Sequence, residues 1–196
     1  MGKKKVLVIV AHPDDETIWT GGMLLANRSG WKTTIISLCR KKDKDRAPRF
    51  KKACKIYSAK CFMLNLDDSE KGYYKKIKTD DIIKRIKKFI DGKYDYVFTH
   101  GKNGEYGHIR HKEIHKAVAE MLKNEELRCK KIFFFAYLRK GKFCGADKNA
   151  DKFIKLSNLI FKRKKCLIQE IYGFKKNSFE ERCCKNIEAF NIRKIK

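Results

Sequence analysis

The chain has 196 residues, of which 42% are hydrophobic; this excludes a largely disordered protein and permits one domain, residues 1–196, with a core that needs no disulfides. Its 49 Lys and Arg against 23 Asp and Glu give a formal net charge of +26, an excess found in proteins that bind nucleic acid, anionic membranes or phosphorylated substrates. No apolar run approaches the roughly 18 residues of a membrane span, and none near the first Met suits a signal peptide, so we expect a cytoplasmic protein without a membrane span.

The distribution of the charge limits what it indicates. Lysines occur in almost every predicted helix and loop, and the chain has no arginine-rich arm and no nucleic-acid-binding motif. Nucleic acid is therefore the least favoured partner, while a general lysine bias and an anionic substrate or membrane surface both remain open. The eight cysteines form no Cys-x-x-Cys pair, which favours buried free thiols. The oligomeric state is not indicated.

Strands and helices alternate along the predicted chain. The hydrophobic pattern predicts strands over Lys5–Ala11, Thr33–Cys39, Cys61–Leu66, Tyr94–His100 and Lys131–Leu138. It predicts helices over Thr17–Asn27, Pro48–Ser58, Thr79–Asp91, His108–Asn124, Lys165–Tyr172 and Phe179–Phe190, and a loop over Lys140–Lys152. This order predicts an α/β fold with a mostly parallel sheet covered on both faces, whose functional site lies outside the carboxyl ends of the strands.

Two polar clusters follow predicted strand ends and can share one crevice. His12 and Asp15 lie three residues apart after the first strand, and His108 and His111 have the same spacing where a later helix begins. A His/Asp/His set that leaves one coordination position open is typical of hydrolytic zinc, although iron or cobalt accepts the same ligands. A further carboxylate must move the proton, and Asp14 is suitably placed.

Each cluster also has a simpler explanation. The acidic residues Asp14, Asp15 and Glu16 are suited to the first turn of a helix, where they complement its dipole. His108 is suited to the start of a helix, and a lone His-x-x-His is a weak signal. The two clusters together favour a metal site over these separate explanations.

The two motifs are recognisable. Ala11-His12-Pro13-Asp14-Asp15-Glu16 after the first strand, with Gly107-His108-Ile109-Arg110-His111 after the fourth, resembles the PIG-L/LmbE-like family of zinc-dependent deacetylases. The resemblance implies a Rossmann-like three-layer fold. It implies zinc held by the set His12, Asp15 and His111, and a reaction in which zinc-bound water attacks the amide carbonyl of an N-acetyl group.

The resemblance also implies roles for residues around the metal. Asp14 would be the general base and acid, and His108 would assist the tetrahedral intermediate, best as an imidazolium that is hydrogen-bonded to a carboxylate. Tyr106 matches a mobile tyrosine that helps to polarise the carbonyl. Arg46 matches an arginine proposed to contact substrate.

The implied substrate is an N-acetylated sugar of the N-acetylglucosamine type, with or without an anionic group. Two alternatives stay open: an amidase for a non-sugar amide, and a basic protein that binds a glycan or nucleic acid on an inactive deacetylase fold. The intact set of His12, Asp14, Asp15 and His111 disfavours the binding protein, because mere binding does not need a base beside the ligands.

Overall fold

The computed structural model describes residues 2–68 and 75–195. A seven-stranded sheet forms its centre, in the order β3-β2-β1-β4-β5-β9-β8. The first five strands are parallel: β1 (Lys4–Val10), β2 (Trp31–Cys39), β3 (Lys60–Leu66), β4 (Lys93–Thr99) and β5 (Arg128–Phe135). Two antiparallel strands extend the sheet beyond β5, namely β9 (Ile187–Lys194) and β8 (Lys152–Lys155).

Helices cover both faces of the sheet, which confirms the three-layer α/β prediction. In chain order they are α1 (Asp15–Asn27), α2 (Arg46–Ile56), α3 (Thr79–Lys87), the single turn α4 (Gly104–Gly107), α5 (Ile109–Lys123), α6 (Asn158–Cys166) and α7 (Phe179–Cys183). A π-helical turn, Leu167–Ile171, continues α6. None of the helices described is long and apolar enough to cross a membrane.

Alternate residues of β1 contribute to different sides of the core. Val6 and Val8 pack in the cluster that contains Trp19 of α1. Leu7 and Ile9 pack in the other cluster, with residues of α3 and α5 such as Ile114. All of these side chains are at most 1% exposed. A strand buried on both faces reads as a continuous apolar run, which is why β1 was predictable from the sequence.

The predictions for the last third of the chain are partly wrong. The helix expected over Phe179–Phe190 ends at Cys183, and the chain then forms β9. The expected loop Lys140–Lys152 contains β7 (Phe143–Ala146), which forms a separate hairpin with β6 (Tyr137–Lys140). Here the partners of the strands decide the structure, since short apolar runs fit a helix or a strand equally well.

Candidate metal centre and active site

The polar clusters meet at the point where the sheet changes its direction of winding. β1 lies between β2 and β4, and the helices that follow β1 and β4 lie on opposite faces, which opens a crevice at the carboxyl ends of these strands. His12 follows β1 and His100 follows β4. Asp14 and Asp15 lie at the start of α1, and His111 lies in the first turn of α5.

Three of the side chains direct one atom each toward a common point. Nδ1 of His12 lies 3.2 Å from Nε2 of His111. Oδ2 of Asp15 lies 3.3 Å from the first of these atoms and 3.4 Å from the second. Tetrahedral zinc holds such ligands at about 2.0–2.2 Å, which separates neighbouring ligand atoms by roughly 3.3–3.6 Å. The three atoms therefore have the spacing that a divalent metal needs, and the set is the one expected from the sequence.

Both histidines of this triangle meet a carboxylate through their other ring nitrogen. Nε2 of His12 lies 3.1 Å from Oδ1 of Asp68. Nδ1 of His111 lies 2.5 Å from Oε2 of Glu105. Glu105 is only 1% exposed, and His111 is fully buried. The carboxylate at one ring nitrogen thus orients each imidazole, so that its other nitrogen faces the triangle.

Asp15 is held at both carboxylate oxygens. The backbone N–H of His12 donates to Oδ2 at 2.8 Å, and the indole N–H of Trp19 donates to Oδ1 at 2.9 Å. Burial acts to raise the pKa of Asp15, but the charge and hydrogen bond of His111 and the hydrogen bond of His12 outweigh it and hold this pKa well below its usual value. Asp15 therefore faces the triangle as an anion.

The buried carboxylates at the triangle stabilise a positive charge there. Burial acts to lower the pKa of His111, but the carboxylates of Asp15 and Glu105 raise it to about 10. Burial acts to raise the pKa of Glu105, but His100 and His111 lower it to about 2. Buried carboxylates that stay ionised are those with a cationic partner, and a bound divalent metal is such a partner.

Asp14 lies beside the triangle and turns its carboxylate toward Arg46, whose Nη1 lies 3.4 Å from Oδ2 of Asp14. The backbone N–H of Asp14 donates to Oε2 of Glu16 at 3.1 Å, and buried Glu16 also accepts the hydroxyl of Tyr172 at 2.6 Å. Burial and the charge of Asp15 raise the pKa of Asp14 well above its usual value. Asp14 thus lines the crevice without belonging to the ligand triangle.

Tyr106 and His108 line the same crevice, and their ring centroids lie 5.6 Å apart. His108 caps α5, and its Nδ1 accepts the backbone N–H of Arg110 at 3.2 Å. The proton of the neutral ring then lies on Nε2. Burial, with the charges of His111 and His12, lowers the pKa of His108 to about 3. The contact at Nδ1 and the lowered pKa both favour the neutral ring over the expected imidazolium in this structure.

The crevice has a volume of about 200 Å³. Besides the residues above, Arg40, Phe179 and Glu180 line it. Nε of Arg40 donates to Oδ2 of Asp68 at 3.0 Å, so one carboxylate joins the crevice arginine to His12. The sequence-predicted residues Arg46, Tyr106 and His108 are all brought to this crevice.

Three residues of the site were not predicted from the sequence. These are Trp19, Asp68 and Glu105, which contact Asp15, His12 and His111 respectively. A single acid in a Gly-rich loop has no periodicity that reveals its direction. The one available signal was the position of Glu105, six residues before His111 in a loop that follows a strand.

The comparisons with known proteins agree with this geometry. A family model described as PIG-L: GlcNAc-PI de-N-acetylase matches residues 7–122, the range that contains every site residue from His12 to His111. A search of curated proteins finds no match.

Several solved structures share the fold. The N,N'-diacetylchitobiose deacetylase from Pyrococcus horikoshii has a TM-score of 0.72 at 16% identity, over 97% of this chain and 84% of that one. The deacetylase of the A40926 pseudoaglycone has a TM-score of 0.65 at 15% identity, over 98% of both chains. The 4-carboxy-2-hydroxymuconate hydratase from Pseudomonas putida KT2440 has a TM-score of 0.69 at 12% identity, over 98% and 96%. A fold that a hydratase also has is not specific for one reaction.

Proposed function

This chain belongs to the PIG-L family of de-N-acetylases, and we propose that it is a zinc-dependent hydrolase that removes the acetyl group from an N-acetylated sugar. The observation that carries the proposal is the ligand triangle of His12, Asp15 and His111 beside a carboxylate, Asp14, that is not part of it. A binding protein has no use for that fourth group.

The donor set fits a hydrolytic metal. Two imidazole nitrogens and one carboxylate oxygen leave a coordination position for water. A bound Zn²⁺ supplies Lewis acidity toward the amide carbonyl and lowers the pKa of water to about 7. Fe²⁺ and Co²⁺ accept the same donors, so the chemistry of the ligands favours zinc without excluding these ions.

Asp14 moves the proton in this proposal. Its carboxylate lines the crevice, accepts a proton from the attacking water and returns it to the departing amine nitrogen. Arg46, with Nη1 at 3.4 Å, steadies the carboxylate and lies where it can also contact the sugar.

His108 and Tyr106 stabilise the charge that develops on the carbonyl oxygen. Because Nδ1 of His108 accepts a backbone N–H, the neutral ring carries its proton on Nε2 and donates from there. The hydroxyl of Tyr106 is a second donor from the same wall of the crevice. Donors fixed before the reaction stabilise an oxyanion without reorganisation.

The test is acetate release from a panel of N-acetylated compounds, together with the metal content of the purified protein. The panel contains N-acetylglucosamine glycans, their phosphorylated forms and N-acetylated peptides, so that sugar, anionic sugar and non-sugar amides are distinguished. We expect stoichiometric divalent metal, and a loss of about 10²–10⁴ in kcat for Asp14→Asn. The matched control is Asp91→Asn, which removes an exposed acid that pairs with Lys5 at 2.8 Å.

Two results would contradict the proposal. One is purified protein that neither contains nor takes up a divalent metal. The other is Asp14→Asn with the activity of Asp91→Asn. Release of acetate from peptides but not from sugars would instead favour the amidase alternative.

A further inference from the structure

The second nitrogen of His111 is held by a carboxylate that no part of the proposed reaction uses. Oε2 of Glu105 lies 2.5 Å from Nδ1 of His111 and 2.9 Å from Nδ1 of His100, and Oε1 accepts the backbone N–H of Gly101 at 2.8 Å. Both histidines are fully buried, and Glu105 is 1% exposed. Glu105 is therefore beyond the reach of a substrate in the crevice.

His100 is fixed in one tautomer by the chain around it. Its Nε2 accepts the backbone N–H of Ala11 at 2.9 Å, so Nδ1 carries the proton and donates it to Glu105. This disfavours His100 as a ligand, although Nε2 lies 3.6 Å from Oδ2 of Asp15 and these two residues form a possible metal-binding group with His111. The lone pair that a metal would need is already used by Ala11.

The backbone around Glu105 is built to deliver its carboxylate to this place. Glu105 has φ 55° and ψ −57°, an unfavourable combination for a residue with a side chain. Nearby, a Cβ on Gly101 would lie 2.3 Å from the carbonyl oxygen of Phe135, so only glycine permits this approach of the loop to β5. Strain of this kind persists where the surrounding structure holds the residue in place.

We propose that Glu105 is a positioning residue for the metal centre and that His100 is its support. Glu105 keeps the proton of His111 on Nδ1, directs Nε2 into the ligand triangle and strengthens His111 as a ligand. The inference rests on the proposed metal-dependent function but assigns a role to two buried residues outside that reaction.

Asp68 is the equivalent group on the other histidine, but it is less securely held. Its Oδ1 meets Nε2 of His12 at 3.1 Å, and its Oδ2 accepts Arg40 at 3.0 Å. Asp68 also binds Arg40, which lines the crevice, whereas the partners of Glu105 named above do not line it. We therefore expect Glu105 to contribute more to metal affinity than Asp68 does.

The experiment measures Zn²⁺ affinity by competition with a chromophoric chelator, in wild type and in Glu105→Gln. The glutamine amide keeps the shape of the side chain but carries no charge. It therefore cannot replace the charged oxygen that accepts hydrogen bonds from both imidazoles. Loss of a carboxylate behind a ligand histidine weakens metal binding about 10–100-fold, and we expect this range. We expect a smaller loss for Asp68→Asn.

Glu188→Gln is the matched control. Glu188 is also fully buried and also accepts several hydrogen bonds, from Gly22, Met23 and Lys164, but it does not contact the triangle. We expect a lower melting temperature and unchanged Zn²⁺ affinity. Equal affinities for Glu105→Gln and Glu188→Gln would overturn the inference.

A measurement on the unaltered protein keeps the test decisive if Glu105→Gln does not fold. In the Co²⁺-loaded wild type, the Nδ1 proton of His111 gives a paramagnetically shifted NMR signal. We expect slow exchange of this proton with solvent, because its acceptor is buried. Rapid exchange, or no such proton, would contradict the inference. If the wild type binds no metal at all, the proposed metal-dependent function is wrong. This outcome is distinct from a result that contradicts only the role of Glu105.

Discussion

Asp14 combines a proposed catalytic role with an unfavourable backbone conformation. Its φ is 150° and its ψ is −27°, a combination that residues with a Cβ rarely adopt. The carbonyl oxygen of Asp14 accepts the N–H groups of Thr17 and Ile18 at 2.9 Å, and its own N–H donates to Glu16. These hydrogen bonds hold the strained residue at the start of α1, as is common at functional sites.

Replacing Asp14 by glycine or alanine separates strain from chemistry. Both variants lose the carboxylate, so we expect both to be inactive. Asp14→Gly relieves about 1–3 kcal/mol of strain and loses about 0.4–1 kcal/mol through the freer unfolded chain. We therefore expect it to be more stable than Asp14→Ala by about 1–2 kcal/mol, measured by denaturant unfolding. If Asp14→Gly is instead less stable than Asp14→Ala by about 0.4–1 kcal/mol, the conformation carries no strain.

Trp19 gives a second prediction at this scale. Its indole N–H holds Oδ1 of Asp15, so Trp19→Phe keeps an aromatic ring and frees that oxygen. We expect about tenfold weaker Zn²⁺ binding, at the low end for a group that orients a ligand. Trp31→Phe is the control, since Trp31 packs among Tyr96 and Phe98 instead. The prediction is wrong if the two variants bind zinc equally well.

The residues of the proposed ligand triangle could be singled out from the sequence, whereas the residues that orient them could not. His12, Asp15 and His111 have residue types and spacings that indicate metal chemistry, and two predicted strand ends place them in one crevice. Glu105 is one acid among 23 Asp and Glu, and its direction depends on a positive φ that no pattern specifies. Residue type reveals the donors, but orientation depends on the folded loop.

Among the elements, α1, α6 and β9 are joined by one buried ion pair. Nζ of Lys164 in α6 lies 2.7 Å from Oε1 of Glu188 in β9, and both side chains are fully buried. The same carboxylate accepts the N–H groups of Gly22 and Met23 in α1 at 2.7 and 2.9 Å. Glu188 therefore links the second half of α1 to α6 through one buried carboxylate.

Removing either partner of this pair should destabilise the protein, but unequally. Glu188→Ala leaves the ammonium of Lys164 buried without a counter-charge, which costs about 3–5 kcal/mol. Lys164→Met leaves a carboxylate that still accepts two backbone N–H groups, so we expect a smaller loss. Denaturant unfolding of the two variants measures the difference. The reverse order would contradict this account of the pair.

The element predictions succeeded where burial made the pattern unambiguous. The stripe Ile82, Ile83, Ile86 and Ile90 predicted a helix over Thr79–Asp91. The observed α3 ends at Lys87, and the first three of these side chains are buried in it. The sequence around Glu188 and Phe190 was instead predicted as helix, because a buried acid looks like a solvent-exposed residue in a helical pattern. The pairing of β9 with β5 and β8 makes Glu188 a strand residue, and its contacts with Lys164, Gly22 and Met23 allow it to be buried.

For the whole molecule, the proposed metal should contribute to folding stability. A ligand that binds only the folded state at 100–1,000 times its Kd stabilises by about 2.7–4.1 kcal/mol. For a chain of this size that corresponds to roughly 5–15 °C in melting temperature. We expect chelation to lower the melting temperature by this amount, and added Zn²⁺ to restore it, in a calorimetric scan. An unchanged melting temperature would contradict a folded-state metal site.

The net charge of +26 leads to a prediction about nucleic acid. Lysines spread over the surface give only non-specific attraction, which falls steeply with salt because it depends on counterion release. We expect duplex DNA to bind weakly in 50 mM salt and to dissociate by about 200 mM, in a fluorescence anisotropy titration. Persistent, sequence-dependent binding at the higher salt would restore nucleic acid as a partner.

The insertion of β9 beside β5 has a consequence for synthesis on the ribosome. Until β9 arrives, β5 is an unpaired edge that carries Ile132, Phe133 and Phe135, the kind of edge that recruits other chains. A nascent chain that already contains both halves of the proposed metal centre must still produce the hairpin, β8 and α6 before β9 covers this edge. Slow translation over that interval would therefore lengthen the time for which this aromatic edge can pair with other chains.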